Sequence, residues 1–179
     1  MSGLLGYLPL ERKGRIDYYL IIMNLEKYTH LAFFNGLSVA EIQLLAPFFT
    51  PQTWVAGTVV FEQGDYAEHL YLVASGELTI RYKPDDGPMM NLTHIQPGGI
   101  FGWSAAMGNL IYTAGAACAL DSEVLRIRGA DLRKICKKHP ELGKVILDRL
   151  SAIIAERQHG QQGRVNSMLA NGLHQQSNT

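Results

Sequence analysis

The sequence predicts a mainly β domain, a compact roll with helices before and after it. Between Thr53 and Arg128, short runs rich in β-branched and aromatic residues alternate with turn signals at intervals of roughly 8–12 residues, the spacing of sandwiches and barrels. On both sides of that region the apolar spacing returns to the helical period. The chain has 179 residues, 47% of them apolar, enough for one domain with a real core.

Residues 1–23 form an arm of uncertain order: a Gly- and Leu-rich start, the basic cluster Arg12-Lys13-Gly14-Arg15, then the run Tyr18–Met23. The domain is expected over 24–158. A helix is predicted from Asn24 to Phe34, with Leu25, Tyr28, Leu31 and Ala32 on one face and Gly36 as its stop. Ser38-Val39-Ala40-Glu41 is a capping box: the Ser38 hydroxyl takes an orphan amide and Glu41 reaches back to the cap. Leu37 and Ile42 stand where a hydrophobic staple belongs, and Pro47 ends the helix near Ala46.

The roll is expected over about 53–128. Its strands are Thr58–Phe61, Leu70–Val73, Leu78–Tyr82, Leu92–Ile95 and Val124–Ile127, and a short strand resumes at Thr113. Gly57, Gly64-Asp65, Ser75-Gly76, Asp85–Pro88 and Pro97–Gly99 supply the turns. After Gly129, Ala130–Lys138 reads as a helix, and Pro140 suits the first position of the next. The terminal helices span about 130–158. Leu142, Ile146, Leu150, Ile153 and Ile154 make an apolar stripe that can dock on the roll, pair with a second subunit, or do both. Residues 159–179 are a polar tail.

Several function classes are set aside on composition. No apolar run approaches the roughly 20 residues of a membrane-spanning helix, and no secretory signal pattern is present. A cytoplasmic protein without membrane insertion is expected. Cys118 and Cys136 are two isolated cysteines, expected to be reduced and packed. His69 and His94 lie on different strands, with no His-x-His and no carboxylate at ligand spacing, so no metal is expected. There is no nucleophile elbow, P-loop or dinucleotide fingerprint, and no enzyme is expected. Net charge is zero, yet residues 126–164 hold ten Lys or Arg against four acids. Such asymmetry can mark a nucleic-acid or acidic-partner surface, and is more often a solvated helix face.

One stretch carries chemistry. Pro97-Gly98-Gly99-Ile100-Phe101-Gly102-Trp103-Ser104-Ala105-Ala106-Met107 crowds glycines ahead of small residues, and Tyr112-Thr113-Ala114 closes it. Glycine admits close backbone approach, and a helical turn starting near Ser104 would aim free amides at an anion. By spacing and neighbours the stretch resembles the phosphate-binding cassette of the cyclic-nucleotide-binding domain superfamily, as in catabolite-activator-like effector domains. That cassette reads about Phe-Gly-Glu-Leu-Ala, some ten residues, then Arg-Thr-Ala or Arg-Ser-Ala. Gly102, Thr113 and Ala114 fit it. Trp103 stands at the glutamate and Tyr112 at the arginine. Phe61–Asp65, Leu70–Leu78, Pro97-Gly98 and Glu123–Leu125 also fall in the family's order, over about residues 28–158.

The resemblance implies a double-stranded β-helix, or jelly-roll β-roll, with N- and C-terminal helices. It implies a regulatory module whose ligand is a cyclic nucleotide, cAMP or cGMP, or another small anionic ligand. The candidate binding residues are Gly102, Trp103, Ser104, Ala105, Tyr112, Thr113 and Ala114, with Arg157 on the last helix as a replacement cation. In the family the glutamate accepts from the ribose hydroxyl and the arginine pairs with the cyclic phosphate. Losing such a charge-paired contact costs on the order of 2–5 kcal/mol, or roughly thirty-fold to a few thousand-fold in affinity. Trp103 either stacks on a planar ligand or fills the cavity. Two readings follow: a sensing module with weakened or altered nucleotide binding, or a ligand-free interaction domain working through the Leu142–Ile154 stripe. A homodimer is expected from the stripe. Direct DNA binding is not, since no helix-turn-helix pattern follows the long helix.

Overall fold

The computed structural model describes residues 27–153 and residue 155. Eight strands form two four-stranded antiparallel sheets: β1 (Thr50–Trp54), β2 (Val59–Phe61), β3 (His69–Ser75), β4 (Leu78–Tyr82), β5 (Met90–Ile95), β6 (Ile100–Phe101), β7 (Gly115–Cys118) and β8 (Ser122–Arg128). One sheet has the order β1-β8-β3-β6 and the other β2-β7-β4-β5. Every neighbour inside a sheet is far away in sequence except β4 and β5, the arrangement of a jelly roll. The expected fold class is therefore observed.

The helices are α1 (Val39–Leu45), α2 (Trp103–Met107), α3 (Gly129–Lys138) and α4 (residues 140–153). Ser38 caps α1 as the sequence requires. Its hydroxyl accepts from the Glu41 amide, and the Glu41 carboxylate accepts from the Ser38 amide at 2.7 Å. That hydrogen bonding holds the Glu41 carboxyl below its ordinary value. Pro140 begins α4, where its missing amide costs nothing.

Strand alternation divides the core in two. Leu70 and Leu72 of β3, with Leu125 and Ile127 of β8, face the helices and pack with Phe33, Phe34 and Leu45. Tyr71, Val73 and Val124 face the other way, into the roll, against Phe61, Ile80 and Phe101. Leu142, Ile146 and Leu150 of α4 belong to the first cluster and are buried. Arg149 completes the docking by donating to the backbone carbonyls of Phe33 and Asn35. These stripe residues thus cover the protein's own helical core. Leu147 stays exposed, and Ile154 has no described side chain.

The structure corrects four local expectations. The described part of the helix foreseen over Asn24–Phe34 is turns followed by a 3-10 turn at Ala32–Phe34, with Ala32 exposed, while residues 24–26 lie outside the described residues. Consecutive phenylalanines at 33 and 34 both enter the core, which a regular helix face does not allow. The first strand starts at Thr50 and includes Pro51, tolerated because β1 is an edge strand. The strand foreseen from Thr113 begins at Gly115. And β6, inside the stretch read as a glycine cradle, is a two-residue strand paired with β3.

Candidate functional site

The candidate residues converge on one end of the roll. Gly102 follows β6 and caps α2 with φ 72°. A Cβ there would stand 2.7 Å from the His69 carbonyl oxygen and 2.9 Å from Tyr71 Cδ2, so only glycine lets the chain turn this close to β3. Helix α2 is five residues long, and the Ala105 amide already donates to the Gly102 carbonyl at 3.1 Å. The row of free amides foreseen at Gly102–Ala105 is shortened accordingly.

Gly102, Trp103, Ser104, Tyr112, Thr113 and Ala114 line one pocket together with Phe61, Ile80 and Phe101. Its interior is small, about 30 Å³. Ala105 is buried beside it rather than lining it, and packs with the roll's inner core. Trp103 is half-buried and also packs against the helical core. Thr113 is exposed at the rim. Arg157 lies outside the described residues. The lining has no Asp, Glu, Lys or Arg.

Tyr112 is packed firmly into that lining. It is 3% exposed, and its ring stacks on Phe61 with centroids 3.7 Å apart and planes at 15°. Its hydroxyl donates to the His69 carbonyl at 2.8 Å and accepts from the His69 amide at 3.0 Å. Its backbone is fixed as well: the Tyr112 amide donates to the Asp65 carbonyl, and the Gly64 amide donates to the Tyr112 carbonyl, both at 2.9 Å. Behind it, Tyr71 stacks on Phe101 at 4.7 Å. Burial pushes the Tyr112 hydroxyl up, and burial with the neighbouring Tyr112 pushes Tyr71 up further, so both are neutral phenols near pH 7. Burial also pushes the His69 imidazole down, against the pull of Glu68.

The cassette turn is joined directly to the terminal helices. Arg133 of α3 donates to the carbonyls of Ala105 and Ala106, which end α2. Gly129, at the start of α3, lies so close to Ala105 that a Cβ would overlap its backbone. Farther along, a Cβ at Gly143 of α4 would come within 2.8 Å of the Cys136 carbonyl.

Sequence reasoning missed Phe61, Ile80, Phe101, His69 and Arg133 as parts of this site. The signal for Phe61, Ile80 and Phe101 was strand alternation, which aims each of them inward. Nothing local marks Arg133 or the His69 backbone. Of the two strand histidines, His69 is in one sheet and His94 in the other. Among the described residues no group of His, Cys, Asp or Glu could hold a metal, and Cys118 and Cys136 are both free. No helix among them is long and apolar enough to cross a membrane.

Comparisons agree with this architecture. Residues 51–139 match the family model described as the cyclic nucleotide-binding domain. The chain is 28% identical over 124 residues to the "Cyclic AMP receptor protein" of Thermus thermophilus, covering 69% of this chain and 56% of that protein. It is 25% identical over 126 residues to a putative potassium channel protein of Rhodopseudomonas palustris, covering 70% of this chain and 30% of that one. The chain thus spans about half, or less, of the curated relatives it matches. A putative cyclic nucleotide-binding protein from Geobacter metallireducens superposes with TM-score 0.67 at 25% identity, covering 75% of this chain and 97% of that one. A cyclic nucleotide-binding domain from Methylobacillus flagellatus gives TM-score 0.70 at 18% identity, covering 85% and 84%, and shows the shared fold alone.

Proposed function

Residues 51–139 are a cyclic nucleotide-binding domain, and from that premise we propose that this chain is a non-catalytic, cytoplasmic regulatory module in which cyclic nucleotide binding is weakened. The reading is carried by one observation: the cavity at Gly102–Ala114 has no charged side chain in its lining and room for about 30 Å³. A cyclic phosphate placed there would lose its hydration without meeting a guanidinium. A buried charge without a partner costs several kcal/mol. The residues that would touch a ligand are Gly102, Trp103, Ser104, Tyr112, Thr113 and Ala114, with Ala105 behind them and Arg157 as the candidate replacement cation.

The output of such a module is conformational. α2 contacts α3 through Arg133 and Gly129, and α3 contacts α4, so two positions of α2 would bias two positions of the helices. The burial of Leu142, Ile146 and Leu150 favours α4 as an internal reporter over a free docking stripe. The homodimer belongs to the proposal too, with Leu147 as the exposed apolar residue of α4; light scattering that gives a monomer at high micromolar concentration removes it.

Isothermal titration with cyclic AMP, cyclic GMP and a cyclic dinucleotide tests the central reading. Weak binding, in the high micromolar to millimolar range, is the expected result. Nanomolar cyclic AMP binding would refute it. Complete silence at millimolar ligand favours the ligand-free interaction domain instead.

A further inference from the structure

Tyr112 is buried within the closing segment of the candidate site. It is at once the most enclosed side chain of the cassette's closing segment and the one with the most partners. Its ring lies face to face with Phe61 at 3.7 Å, a β2 residue of the opposite sheet. Its hydroxyl closes a two-bond clamp on the backbone of His69, the first residue of β3. Flanking residues 109–111 are exposed and 113 is exposed, so within this loop Tyr112 alone is an inward anchor. Glu68, one residue before the clamp, accepts from the Gly129 amide at 2.9 Å through its carbonyl, and Gly129 abuts Ala105 of α2. The clamp, α2 and the first turn of α3 therefore share one small block of backbone.

We infer that Tyr112 is a tethered occupant of the cassette: its phenol sits where a diffusible molecule would otherwise be needed, and holds α2 and α3 in their docked position with no ligand bound. The inference deepens the regulatory reading above and rests on it for what the docked position controls. The physical basis is that an intramolecular group avoids the entropy of association that a free ligand must overcome. Removing the phenol should free α2, release the carbonyls that Arg133 holds, and loosen α3 and then α4, while leaving β1 and β8 as they are.

The test is hydrogen exchange of the full chain, read by peptide, with 4-methylphenol as the probe that replaces the deleted ring and hydroxyl. In Tyr112→Ala, exchange should rise about tenfold or more, the equivalent of ~1.4 kcal/mol of local opening, in α2 and α3, with little change in β1 and β8. Millimolar 4-methylphenol should bring that exchange back toward the wild-type rate and leave the wild type unaffected. Tyr112→Phe keeps the stack and removes the clamp, and should show a smaller rise in the same two helices. Unchanged α2 and α3 in a folded Tyr112→Ala overturns the inference. So does a rise spread evenly over every strand, which is the mark of general packing loss, and so does failure of 4-methylphenol to restore protection. Where Tyr112→Ala does not fold, the Tyr112→Phe result decides: equal exchange to wild type in α2 and α3 overturns it. A wild type that binds cyclic AMP tightly would defeat the weak-binding reading and leave these exchange results to stand or fall separately.

Discussion

Replacing Gly102 by alanine separates two costs that glycines at turns usually combine. The residue sits at φ 72°, where an L side chain is strained by roughly 1–2 kcal/mol. Its new Cβ would also stand 2.7 Å from the His69 carbonyl and 2.9 Å from Tyr71 Cδ2, against ordinary contacts of 3.4–4 Å. β3 must retreat or α2 must lift, and overpacking of this kind costs about 1–3 kcal/mol. Gly98 is the internal control. It has φ 86° and open space for 4 Å around the point where a Cβ would stand, so Gly98→Ala carries the backbone cost alone. Urea unfolding followed by circular dichroism should give about 2–5 kcal/mol of destabilisation for Gly102→Ala and about 1–2 for Gly98→Ala. The difference between the variants, about 1–3 kcal/mol, is the crowding against β3. Because the Tyr112 hydroxyl is bonded to the backbone amide and carbonyl of His69, Gly102→Ala should also quicken exchange in the 110–114 loop. Equal losses for the two variants would refute the close packing of the cassette turn on β3.

Ile146→Ala should cost about 2–5 kcal/mol because the side chain is 1% exposed, whereas Leu147→Ala, 58% exposed, should fall within about 0.5 kcal/mol; the reverse order would mean that α4 does not dock on its own domain. Ser38→Ala should lose about 1 kcal/mol of unfolding free energy. Glu41 is held low by Ser38, so its contribution is present above the usual carboxylate range and lost as pH falls through its depressed value. Stability of Ser38→Ala should therefore fall less steeply with acid than that of the wild type. At the alkaline end, burial and the 2.6 Å bond to Glu123 push the Tyr28 hydroxyl up to about 12. Its contribution is full below pH 10 and lost as pH rises through about 12, and Tyr28→Phe should flatten that limb in denaturant titrations at pH 9–12.

Much of the roll was legible because its signals are local. Alternating apolar residues marked β3, β4 and β8, and glycine-bearing turns separated them. The capping box at Ser38 and the proline at 140 set helix starts for the same reason: each satisfies or dispenses with an orphan amide within one turn of chain. The strands whose bounds were misread or that escaped were those whose local chemistry opposes their state. β7 is Gly-Ala-Ala-Cys, poor in β propensity, and is a strand because β2 and β4 pair with it on both sides. Pro51 disguised β1, whose edge position removes the need for its amide. Phe33 and Phe34 broke the helical pattern because the core around them closes from more than one direction.

The same division runs through the site. Residue order alone carried the resemblance to the cassette, with aromatic residues where that resemblance expects two charges, since identity and spacing are properties of the chain. It left open whether Trp103 stacks on a planar ligand or fills the cavity, and whether the Leu142–Ile154 stripe docks on the roll, pairs with a second subunit, or does both. What the fold adds is contacts between residues distant in sequence: Tyr112 with Phe61 and His69, Arg133 with Ala105, Arg149 with Phe33. A sequence records which groups are available, but stacking, burial and a backbone clamp exist only once the sheets have closed around them.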